Sequence, residues 1–70
     1  MLPLTLAEPG ETYLIRKVGG QGEVRKHLED LGIVAGSPIT IVSRIGENLI
    51  VNAKQSRIAI SREMAQKIMV

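Results

Sequence analysis

The chain has one histidine, no cysteine and a thin scatter of carboxylates, so the chemistry open to it is quickly bounded. Glu23, His27 and Asp30 fall at i, i+4 and i+7, a spacing that puts all three on one face of an α-helix. An imidazole with two carboxylates is a mixed nitrogen and oxygen ligand set for a divalent cation. The competing reading is an ordinary surface histidine, since three donors on one wet helix have no second layer of groups to orient them. A Ser–His–Asp nucleophilic arrangement fails on the same residues. His27 and Asp30 share a helix rather than face one another, and no serine sits on a strand-to-helix elbow. Without cysteine there is no thiolate metal site, disulfide framework or cysteine nucleophile. A chain of 70 residues is also short for a deep, shaped cleft. The expectation is a protein that is not an enzyme, with no catalytic residue and no cofactor.

Two further motifs lead to the same place. Gly19-Gly20-Gln21-Gly22 ahead of a helix invites comparison with phosphate-binding loops, whose amides face an anion. It matches neither G-x-G-x-x-G nor the Walker pattern, and a strand-to-helix connection explains it. Tyr13 is the only aromatic residue, too little for a base-stacking surface. The nine basic and seven acidic residues are spread along the chain, so the net charge of +2 does not mark a nucleic-acid footprint. No nucleic-acid partner is expected.

The helix that carries these groups is short. Val24, Leu28 and Leu31 form one apolar stripe, predicting a helix over about Glu23 to Leu31 that must dock on a sheet to be stable. Gly32 supplies the left-handed residue that ends it, and Ile33 folds back on Leu28 to close a Schellman end. Its charges oppose the helix dipole, with Arg25 and Lys26 early and Glu29 and Asp30 late. The i, i+4 pairs Arg25–Glu29 and Lys26–Asp30 offset this in part. The face carrying Arg25, Lys26 and Glu29 is the expected partner-binding surface.

Around the helix the chain reads as strands. Leu2, Leu4 and Leu6 alternate, Glu8 to Glu11 is a turn, and Thr12 to Val18 is the first full strand. Ile39 to Ile45 is the second, with Ile39 and Ile41 inward, and Gly46-Glu47-Asn48 is a hairpin turn. Leu49 to Lys54 is the third, with Leu49, Val51 and Ala53 on one face, and Gln55-Ser56 turns into a fourth over Arg57 to Ile60. Ser61 caps a helical turn through Ala65, and Lys67 to Val70 is the last strand. The fold class is mainly β. It is a small SH3-like barrel of about five strands, with one short α-helix after the first strand and a helical turn before the last, all in a single domain over residues 1–70.

No apolar run reaches the roughly 18 residues that span a bilayer, and the first residues lack the pattern of a secretion signal. A cytoplasmic location without membrane insertion is expected. Val42, Ile45 and Ile50 have no certain inward place, and a barrel this small leaves a sheet edge or seam open for peptide addition. Weak self-association fits the same edge. By elimination the molecule reads as a protein-interaction module.

Three stretches carry a resemblance that spans nearly the whole chain. They are Leu4-Thr5-Leu6 with Pro9-Gly10-Glu11 and Ile15, then Arg25 to Ile39, then Arg57 to Val70. The second contains R-x-x-L-x-x-L-G-I-x-x-G and the third I-A-I-S-x-x-x-A-x-x-I-x-V. Together they resemble the FeoA family, ferrous iron transport protein A. The resemblance implies a cytosolic SH3-like barrel that binds the cytoplasmic part of the FeoB membrane transporter and modulates iron uptake without catalysis. The same module is similar to the C-terminal domain of DtxR-type repressors, which gives the alternative of a small metal-responsive regulator binding a divalent ion weakly. A repressor's helix-turn-helix and dimerisation domains do not fit within these 70 residues. Ala35, Gln55 and the short hairpin at Gly46 depart from the family's common loop residues.

Overall fold

The β-branched run after Ser37 forms the longest strand, and the other elements are arranged around it. The computed structural model describes residues 1–70. After a 3₁₀ turn at Leu4–Leu6 come β1 (Thr12–Leu14), β2 (Lys17–Val18), α1 (Gly22–Asp30), β3 (Pro38–Ile45), β4 (Asn48–Ala53), β5 (Ser56–Ile60), α2 (Arg62–Ala65) and β6 (Ile68–Met69). One antiparallel sheet has the order β1-β3-β4-β5, and a second pairs β2 with β6. The mainly β barrel of the sequence reading is present, with six strands rather than five.

The extra strand comes from the segment Thr12 to Val18, which was expected to be continuous. It bends at Ile15-Arg16. The Ile15 N–H donates to the Ser37 carbonyl beside β3, while the next amide, of Arg16, donates to Met69 of β6 at 2.8 Å. The chain therefore crosses from one sheet to the other, with Ile15 buried at the corner. The alternation of Leu2, Leu4 and Leu6 ends in a 3₁₀ turn at Leu4–Leu6. Leu4 is buried, Leu6 is exposed, and the amides of Leu6 and Ala7 donate to the carbonyls of Pro3 and Leu4.

The β4–β5 turn lies one residue earlier than the sequence suggests. Ala53 pairs with Ser56, so the turn is Lys54-Gln55 and Ser56 belongs to the strand. Both turn residues have positive φ, 54° and 66°, as a type I′ hairpin requires. The first hairpin likewise turns on Gly46-Glu47 alone, because Asn48 already pairs with Ile45.

The interior is aliphatic throughout. Leu28, Ile33, Ile39, Ile41, Val51 and Ile68 lie at its centre, and no polar or charged residue is buried. Leu49, Val51 and Ala53 alternate inward from β4 as the period of two dictates. Val70 is tied back to Leu2 by two backbone hydrogen bonds of 2.8 Å, which join both chain ends to the second sheet.

Candidate functional site

Helix α1 presents the side chains that the sequence singled out, and its own ends explain how it is held. Leu28 is fully buried on the barrel, and Leu31 is half-buried beside it. The Ile33 amide donates to the Leu28 carbonyl and the Gly32 amide to the Glu29 carbonyl, both at 2.9 Å. These are the two bonds of a Schellman end, and Gly32 has the φ of +88° that it needs. Val24 is only partly covered, at 37% exposure, so the first turn stands off the core.

Every charged residue of α1 is exposed, His27 included. Arg25 reaches Glu29 at 3.4 Å, an i, i+4 pair with both side chains about half in water, while the Lys26–Asp30 pair does not form. Pairs this exposed stabilise a helix by roughly 0.3–0.5 kcal/mol. The dipole-opposed arrangement is therefore barely compensated from within, and Lys26 and Asp30 remain free for other contacts.

Glu23, His27 and Asp30 are not drawn together as a ligand group, and no three such side chains anywhere in the molecule are grouped to hold a metal ion. Glu23 and His27 instead turn towards α2. With Val24, Ser61, Glu63, Met64 and Lys67 they line an open groove of about 620 Å³ between the two helices, and Asp30 is not part of it. The glycine run before α1 is a connector. The Gly19 N–H donates to the Lys67 carbonyl at 2.6 Å, so this amide is already satisfied.

Ile45 is the exposed member of the apolar trio, at 63%, while Val42 and Ile50 are half-buried. A bulge causes this. Ile41 pairs with Val51 but Ser43 pairs with Ile50, so Val42 is an extra residue in β3. Beyond it the alternation slips by one, which sends Ile45 out and Arg44 to the face of buried Leu49. The Arg44 Nη2 then donates to the Thr5 and Ala7 carbonyls at 2.7 and 2.9 Å, clamping the last turn of the 3₁₀ segment. Sequence reasoning missed this arginine because a bulge leaves no mark in the letters.

The FeoA domain model matches residues 2–70. The chain belongs to the FeoA family. A curated relative, the "Putative Fe(2+) transport protein A" of Methanocaldococcus jannaschii, is 34% identical over all 70 residues and 85% of its own length. Among solved structures, FeoA of Stenotrophomonas maltophilia, described as an SH3 domain protein and crystallised with zinc, superposes with a TM-score of 0.81. That match has 19% identity and covers 99% of this chain and 88% of the other. A manganese-dependent transcriptional repressor shares the fold at a TM-score of 0.84 and 16% identity, with 94% of this FeoA chain matching 38% of the repressor. At such identities the two structures establish the barrel architecture alone.

Proposed function

We propose that this FeoA-family protein is a non-enzymatic accessory factor of ferrous iron uptake, working in the cytoplasm by contact with the cytoplasmic part of a FeoB-type transporter. The observation that carries this reading is the family match along residues 2–70. The chemistry of the surface agrees, because the exposed face of α1 offers Arg25, Lys26 and Glu29 to a partner and is little needed for stability. No helix is long and apolar enough to cross a membrane.

Titration of the transporter's soluble cytoplasmic domain tests the proposal. Binding is expected, weakened at least about tenfold by Arg25→Glu, because like charges set against each other at an interface are costly. The variant's stability should stay within about 0.5 kcal/mol of the parent. No binding at high micromolar concentration, together with normal iron uptake in a deletion strain, would remove the reading.

The metal-responsive alternative rests on Glu23 and His27 sharing the groove between the helices. Calorimetry with Fe(II) or Mn(II) separates the two readings. A heat of binding abolished by His27→Ala would favour the regulator, and the absence of heat would leave the accessory role.

A further inference from the structure

We propose that the free edge of β5 is a strand-addition site for an extended, acidic segment of a partner protein. β5 ends the sheet and is paired on one side only, with β4. The turn between them has two residues, so Ala53 and Ser56 form the doubly hydrogen-bonded pair next to it. Alternation makes Val51–Ile58 and Leu49–Ile60 the next such pairs. Arg57 and Ala59 lie between them, and their N–H and C=O groups point away from β4. No turn, loop or cap hydrogen bond takes up either backbone. Both residues are exposed, so two donors and two acceptors stand ready at strand spacing.

Charge selects the occupant. Lys54 and Arg57 are the only charged residues from Asn48 to Ile60, and neither has a carboxylate within ion-pair distance. Arg25 and Arg62, by contrast, have Glu29 and Glu47. A strand laid along β5 would place its own side chains beside Arg57, where an acidic residue is favoured and a basic one repelled. A second copy of the chain would bring the same two uncompensated cations to the edge. An extended carboxylate-bearing segment is therefore the partner that fits, through main-chain bonds for affinity and charge for selection. This goes beyond the transporter contact proposed above, which was placed on α1.

The test uses the full chain, ¹⁵N-labelled, titrated with a blocked peptide of alternating Glu and Val and with a Lys/Val peptide of equal length. The acidic peptide should shift and protect the Arg57 and Ala59 amides, and the basic one should not. Arg57→Glu should weaken binding at least about tenfold. Ala59→Pro should abolish it, since proline removes an outward N–H that has no ladder partner. Should the proline variant fail to fold, the exposed Arg57→Glu change decides alone. No perturbation at millimolar peptide would overturn the inference, leaving Arg57 as a guard against edge pairing. So would an equal response to the basic peptide, shifts confined to α1, or edge protection that grows with protein concentration without peptide. Binding of the peptide at β5 in a chain that ignores the transporter domain, with normal iron uptake in a deletion strain, would uphold this inference while removing the earlier one.

Discussion

Gly32 meets two demands at once, and each can be measured. Its φ is +88°, and a Cβ built there would lie 2.7 Å from the Lys54 Cβ, closer than real side chains come. The second demand exists because the β4–β5 turn packs onto the end of α1. Gly36 has nearly the same φ, +92°, with nothing within 4 Å of a Cβ. Gly36→Ala should therefore cost about 1 kcal/mol, from the left-handed backbone alone. Gly32→Ala should cost that and roughly 1–3 kcal/mol more for the forced separation of helix and turn. Urea denaturation of both variants checks the difference, and equal losses would show that Lys54 yields freely. Gln55 is the reverse case. It adopts φ of 66° without being glycine, so Gln55→Gly should leave stability unchanged or raise it by up to about 1 kcal/mol. From the sequence alone the turn falls one residue late, at Gln55-Ser56 instead of Lys54-Gln55. The letters Lys-Gln carry no left-handed preference, and the strand periodicity simply ran through Lys54.

Among the elements, the bulge at Val42 decides the most with the least warning. A regular β3 would have turned Ile45 inward and Arg44 out. The extra residue reverses both, and the reversed arginine becomes the clamp on the Leu4–Leu6 turn through its bonds to Thr5 and Ala7. Charge-assisted hydrogen bonds of this kind contribute about 1.5–3 kcal/mol when shielded, so about 1–2 kcal/mol is expected for exposed Arg44→Ala. Hydrogen exchange gives a local check. The Leu6 and Ala7 amides, bonded to Pro3 and Leu4, should lose protection well before those of β4. Uniform loss of protection would mean that the 3₁₀ segment and the barrel open together. Elements with strong periodicity were legible: α1 with its Schellman end, the inward face of β4, and the Ser61 cap, whose hydroxyl accepts the Met64 amide at 3.3 Å. The sheet crossing at Ile15-Arg16 was not, since it depends on where β6 lies and not on anything local to the segment.

At the scale of the whole molecule, one aliphatic cluster carries nearly all of the stability. With no disulfide, no buried polar network and only two exposed ion pairs, little beyond backbone hydrogen bonds and the Arg44 clamp supplements it. The family and the barrel were readable because they are written in that cluster's spacing. The partner face on α1 has no such periodic code behind it, because surface charges obey no period; its assignment to Arg25, Lys26 and Glu29 is left to the binding experiment. A domain of this length is stable by roughly 4–10 kcal/mol, and deleting a buried leucine typically costs about 3–5 kcal/mol. Leu28 is the critical case, since it is the one fully buried residue of α1 and the helix is too short to persist undocked. Leu28→Ala should lower the melting temperature by roughly 12 °C or more and make unfolding begin at α1. Thermal melts by circular dichroism, with exchange of the α1 amides, test both parts. If the helix alone unfolds while the β4 amides stay protected, α1 is a detachable layer on the barrel. If everything unfolds together, the helix is part of the core itself, and any partner that grips Arg25 and Lys26 is gripping the cooperative unit.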